Sequence, residues 1–207
     1  MIVKPFAPAT ERNSQPILDV IKYELQDTKS VLEIGSGTGQ HAIFFAAELE
    51  HLTWQTSDLE ENHNDIHAWL ADAALSNLPK PLSIDVLTAE LPAKSYDAVF
   101  SANTAHIMSF AAVQKMFSLV ASVLDEDGVF CLYGPFRENG EFNTASNAEF
   151  HRMLQRRDPV MGIRHLEDLD QCAASGDMQR LRLYAMPANN ILVVWKKMAS
   201  EDIHDNA

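Results

Sequence analysis

Val31-Leu32-Glu33-Ile34-Gly35-Ser36-Gly37-Thr38-Gly39-Gln40-His41 decides how this chain folds. Four residues, mostly apolar, run into three glycines at alternate positions, and a helix-like apolar segment follows from Ala42 to Leu49. The pattern reads as a buried strand, a tight turn and a helix start. Glycines in such a turn let the backbone take positive φ and approach a ligand closely. The helix start offers unpaired N–H groups.

A turn of this kind commonly binds a nucleotide-like cofactor. The dinucleotide fingerprint places its third glycine three positions after the second. Here it falls only two later, and Glu33 sits inside the strand end. A carboxylate there would be awkward beside a pyrophosphate and would suit an ammonium or a sulfonium. Taken alone, the glycines are also compatible with the strand–helix turn of an unrelated α/β protein.

Outward from this stretch, strands and helices alternate. Ser14 and Pro16 suit the start of a helix running to about Gln26, leaving 1–13 as an extended arm. A helix over 40–50 leads to a strand, Leu52 to Ser57, closed by Asp58. Asp58 lies about 20 residues beyond the glycines, where a carboxylate meets the vicinal hydroxyls of a ribose. A helix N-cap is its blander role. A helix from about Asn62 to Leu75 carries His63 and His67 at i, i+4, without the glutamate or third ligand a metal site needs. Leu82 to Val86 reads as a third strand ending at Asp85, a second acceptor placed for the base of a nucleoside, or a turn aspartate. Tyr96 to Ala102 is the fourth strand, and Asn103-Thr104-Ala105-His106 follows it.

The remaining segments are a helix over 111–124, an acidic turn Asp125 to Gly128 and a strand from Val129 to Tyr133. An irregular stretch over 137–147 ends at Ser146, which would cap a helix to Arg157. After a helix from Leu166 to Ala174 come two strands, Arg180 to Met186 and Ile191 to Trp195. Their four-residue connection leaves no room for a crossover helix, so they should pair antiparallel. Alternation on this scale indicates a mostly parallel α/β sheet.

At 207 residues the chain suits one domain over 1–207 with a frayed tail from Met198. The 46% hydrophobic and 22% charged content is ordinary for a globular protein. A net charge of −13 argues against a broad nucleic-acid-binding surface. The two cysteines, Cys131 and Cys172, form no CxxC pair. No apolar run approaches membrane-spanning length and the start lacks a signal core. The expectation is a cytoplasmic protein with no nucleic-acid or membrane partner and no metal.

The glycine motif with Glu33, Asp58 and Asp85 resembles the pattern of class I S-adenosylmethionine (SAM) methyltransferases. A closer resemblance, to the methyltransferase-like 26 family, is carried by several further stretches. These are Arg12-Asn13-Ser14, Ser101 to Ile107, Tyr133-Gly134-Pro135-Phe136, Ser146 to Phe150 and Arg157 to Arg164. That family's pattern has aspartate after the phenylalanine, where this chain has His151. The resemblance implies a Rossmann-like three-layer sandwich with a seven-stranded, mostly parallel sheet and an antiparallel last strand. It implies SAM as cofactor, with Glu33, Gly35, Gly37 and Gly39 along its methionine portion. Asp58 would hold the ribose, Asp85 and Val86 the adenine, and Asn103 would lie near the sulfur.

The candidate substrate wall is Phe6, Arg12, Asn13, Phe136 and Asn147, with His106 and Tyr133 as candidate catalytic residues. His106 is either a general base or a structural histidine. Arg164 is a candidate for a substrate carboxylate or for a structural ion pair. The expected activity is methyl transfer to a small-molecule acceptor. The alternatives are a SAM-binding protein without catalysis, a nicotinamide-dependent oxidoreductase and an aminopropyltransferase. The glycine spacing and Glu33 disfavour the oxidoreductase. The last would need a carboxylate pair near Asn103 that the sequence lacks.

Overall fold

The structure, a computed structural model, describes residues 4–88 and 94–199. In chain order the elements are α1 (Pro8–Glu24), β1 (Ser30–Ile34), α2 (Gln40–Glu48), β2 (Thr53–Asp58), α3 (His63–Ala73), β3 (Leu82–Ser83) and β4 (Tyr96–Ala102). Then follow α4 (Phe110–Val123), β5 (Leu124–Gly134), β6 (Phe136–Arg137), α5 (Ala145–Arg157), β7 (Arg164–His165), α6 (Leu166–Ala174), β8 (Met178–Met186) and β9 (Asn190–Lys197). Seven strands form one sheet in the order β3-β2-β1-β4-β5-β9-β8. Pairing is parallel from β3 to β5, and β9 runs antiparallel between β5 and β8. The expected fold class is therefore observed.

The pleat of β1 sorts the core into two layers. Val31 faces a cluster with Ile17 and Ile21 of α1, Phe45 of α2 and Trp54 of β2. Leu32 and Ile34 face the opposite cluster, with Val113, Phe117 and Val120 of α4, Leu169 of α6 and Trp195 of β9. Successive strand side chains point to opposite faces, so a strand apolar at consecutive positions is buried on both sides. The chain steps from β1 to β2 and β3 in one direction, then returns to β4 and β5 in the other. The reversal lies between β1 and β4, where such sheets open a crevice at the strands' carboxyl ends.

Several boundaries differ from the sequence reading. The arm over 1–13 is helical from Pro8, because the Ala7 N–H donates to Gln40 Oε1 at 2.6 Å and Pro8 occupies the first turn. Ser14 caps nothing; it lies inside α1 with its hydroxyl donating to the Thr10 carbonyl at 2.7 Å. β3 is two residues long, so Asp85 stands beyond it in a turn, its Oδ1 accepting the Leu87 N–H at 2.9 Å. The cap of α5 is Thr144, whose hydroxyl accepts from the Asn147 N–H, and Ser146 lies in the first turn.

The turn at Asp125–Gly128 appears as a register break in the β4–β5 pairing, with Asp127 at φ 64. Met198, placed in a frayed tail by the sequence, donates its N–H to the Asp177 carbonyl at 2.9 Å; residues 200–207 lie outside the described ones. Among the described residues no helix is long and apolar enough to cross a membrane.

Candidate active site

The loop after β1 is tied to the end of β2. The Gly35 and Ser36 N–H groups both donate to the Ser57 carbonyl at 3.0 Å, and the Ser57 N–H donates to Ser36 Oγ at 3.2 Å. The Ser36 hydroxyl donates onward to Glu33 Oε2 at 2.7 Å. Gly35 has φ +72, and a Cβ there would lie 2.6 Å from Thr104 Cγ2 in the loop after β4. Gly37 has φ +56 and a Cβ there would meet nothing within 4 Å. The first glycine permits close packing of two loops; the second keeps an open surface bare.

That surface borders two cavities. The first, about 520 Å³, extends over the ends of β1, β2 and β3 and is lined by Gly35, Gly37, Asp58, Asn62, Asp85, Val86 and Asn103. Ile34, Ile84, Ile107 and Met108 give it apolar walls. Asp58 is a hub here. Its Oδ2 accepts the Gly37 N–H at 2.7 Å, and its Oδ1 accepts the Leu59 N–H at 2.8 Å and the Asn62 amide at 2.7 Å. Asp58 caps no helix among the described residues; its carboxylate ties the glycine loop to the turn after β2 and lines the cavity.

The second cavity, about 690 Å³, lies on the other side of the glycine loop. Arg12, Thr38, His41, His106, Asn147, Phe150 and Asn190 line it, and it shares Gly35, Gly37, Ala102 and Asn103 with the first. Asn103 stands at this junction with φ 61, its N–H donating to the Tyr133 carbonyl at 2.8 Å. Asparagine is among the few residues with a side chain that tolerate left-handed backbone.

Six expected site residues do not line either cavity. Glu33 is 2% exposed and lies beneath the loop, its Oε2 accepting from Ser36 and, at 3.3 Å, from Trp54 Nε1. Burial, reinforced by the Asp58 charge and opposed by those two hydrogen bonds, pushes its carboxyl up to about 7. Gly39 is the N-cap of α2. Phe136 is a core residue under α4 and α6. Phe6 is exposed on the outer surface near Phe44 and Trp69. Asn13 and Tyr133 are buried behind the second cavity. The Tyr133 hydroxyl bonds Asn13 and Asn190, and Asn13 Oδ1 lies 2.7 Å from His41 Nε2.

His41, which the sequence reading quoted without assigning a role, therefore joins the cavity wall to this buried chain. It stacks on Phe45 with centroids 5.2 Å apart, and burial holds its pKa down at about 4. His106 is likewise lowered to about 4, first by burial and then by the Arg164 charge, and sits edge-on to Phe150 at 5.4 Å. Both are neutral near pH 7. Arg164 lines neither cavity and forms no ion pair among the described residues. Its Nε donates to the Ala105 carbonyl at 2.9 Å, and one terminal nitrogen donates to the carbonyls of Met108 and, at 2.8 Å, Val160. His151 accepts the Ile163 N–H at 3.1 Å and packs on Phe142, outside both cavities. His63 and His67 stand 6.2 Å apart, and among the described residues no group of three or more His, Cys, Asp or Glu could hold a metal ion.

Residues 4–197 match the model of a family described as "Protein of unknown function (DUF938)". Several solved structures share the fold. An O-methyltransferase family protein from Burkholderia thailandensis aligns with a TM-score of 0.80 at 14% identity, covering 93% of this chain and 58% of its own. The SAM-dependent methyltransferase SibL gives 0.79 at 15%, covering 92% and 56%. Human N-acetylserotonin methyltransferase in complex with SAM gives 0.74 at 13%, covering 92% and 53%. The chain spans little more than half the length of these proteins.

Proposed function

The chain belongs to the DUF938 family, and from that premise we propose that it is a SAM-dependent methyltransferase acting on a small-molecule acceptor. One observation carries the reading: Gly35, Gly37, Asp58, Asp85 and Asn103, scattered over four loops, converge on one crevice at the reversal of strand order. Kinship with the methyltransferase-like 26 family belongs to the same proposal.

The residues fit the group. Bare backbone at Gly37 admits a ligand where any side chain would project into the space. A carboxylate accepts about four hydrogen bonds. Three are used at Asp58, so a ribose diol would take the free position on Oδ2 and displace the Asn62 amide from Oδ1. Asp85 and Val86 would meet the adenine, with Ile84 and Met108 against its faces. Glu33 acts at one remove, holding Ser36 and through it the loop.

When bound, SAM supplies a methyl group on a sulfonium, whose carbon–sulfur pair returns to sulfur as the acceptor's lone pair takes the carbon. The protein's task is then orientation and exclusion of water. Asn103 and the glycine loop separate donor and acceptor cavities, so the acceptor approaches from the His41 and His106 side. A neutral His106 can accept a hydrogen bond from the acceptor and so orient it. Burial and the Arg164 charge hold the imidazole pKa down at about 4, which makes His106 a weak base. Isothermal titration with SAM tests the reading: micromolar binding that Asp58→Ala weakens is expected, and absence of SAM binding overturns it.

A further inference from the structure

We propose that the second cavity is a site for small organic anions, anchored by the Arg12 guanidinium, and that the methyl acceptor is a carboxylate-bearing small molecule. The substrate assignment rests on the methyltransferase reading; the anion site does not. The chain has 29 Asp and Glu against 16 Lys and Arg, yet among the described residues no carboxylate lines this cavity. The first cavity has Asp58 and Asp85 in its walls. Two adjoining spaces of opposite character suit a cationic sulfonium nucleoside on one side and an anion on the other.

Arg12 is exposed at the cavity and enters no ion pair or hydrogen bond with any described residue. Its planar fork matches a carboxylate. Deeper in, His106 is 8% exposed, and neither ring nitrogen has a hydrogen-bond partner among the described residues. A ring nitrogen that lines the cavity and is not already hydrogen-bonded can take one bond to a ligand group. The first turns of α1 (Ala9, Thr10) and α5 (Ser146, Asn147) also border the space, adding the positive ends of two helix dipoles. A carboxylate at Arg12 leaves the far end of a small molecule toward His106 and Asn103.

The test uses the full chain saturated with S-adenosylhomocysteine and three ligands of one size: 4-hydroxybenzoate, 4-hydroxybenzamide and tyramine. By isothermal titration the anion should bind at least tenfold more tightly than the neutral amide, and the cation should not bind. Arg12→Gln should erase the preference for the anion and leave S-adenosylhomocysteine affinity within twofold. Equal or tighter binding of the amide or the cation overturns the proposal, as does failure of all three at millimolar concentration. So does an Arg12→Gln effect confined to S-adenosylhomocysteine, which would show that Arg12 holds the cofactor's own carboxylate. If the wild-type chain binds no S-adenosylhomocysteine, the methyltransferase reading fails, and the same titrations without it decide the anion site.

Discussion

Glu33→Gln should change the pH dependence of stability in a defined direction. Glu33 is fully buried, and its carboxyl is pushed from an ordinary 4.5 to about 7. The native state therefore favours the protonated form, and this stabilisation is complete below pH 4.5 and lost as pH rises through 7. At 1.36 kcal/mol per pH unit, that interval corresponds to roughly 3 kcal/mol. Both hydrogen bonds to Glu33, from Ser36 and Trp54, reach the same oxygen, so a glutamine carbonyl can keep both.

The variant should thus gain on the wild type by about 3 kcal/mol between pH 4.5 and 8. Wild-type stability alone would hide the effect. His41 and His106 are lowered from 6.5 to about 4, and each contributes stability that is present above 6.5 and lost as pH falls toward 4. Urea unfolding of both proteins across the range isolates Glu33 by difference. A difference that stays constant with pH would refute a buried, protonated carboxyl.

Four further outcomes follow from the geometry. Gly35→Ala should cost about 2–4 kcal/mol, since it combines positive φ with a 2.6 Å contact to Thr104. Gly37→Ala should cost only about 1 kcal/mol in urea unfolding while weakening SAM binding, because its methyl enters open space at the cavity. Asp58→Ala should weaken SAM by about two orders of magnitude in isothermal titration, at roughly 1.5–3 kcal/mol for each hydrogen bond to a charged group. Arg164→Met removes the donors for three backbone carbonyls and should lower stability by about 2–4 kcal/mol in thermal unfolding, with SAM affinity at 25 °C near wild type.

Much of this architecture was legible from local pattern. Continuous apolar runs such as Val31–Leu32 and Ala98–Phe100 indicate strands covered on both faces, and the short Pro187–Asn190 link could only join antiparallel neighbours. Asp58 was legible from its spacing to the glycines and Asp85 from its place at the end of a strand, and both line the first cavity. The orientation of Glu33 was also available: with period two it shares the face of Val31, which turns toward α1, α2 and Trp54. The start of α1 was hidden. Pro8 and Pro16 both signal a first turn, and the choice falls to a tertiary contact, Gln40 with the Ala7 N–H.

Arg12, Asn147 and His106 were legible as candidate site residues and all three line the second cavity, but its local charge could not be read from the sequence, for a physical reason. A net charge of −13 describes the surface average. A binding site responds most strongly to the charges that line it directly. Topology brings Arg12, His41, His106 and Asn147 together from four separate elements, and it leaves the carboxylates elsewhere: Glu33 beneath the loop, Asp58 and Asp85 around the other space. An acidic chain can in this way present a local site for anions.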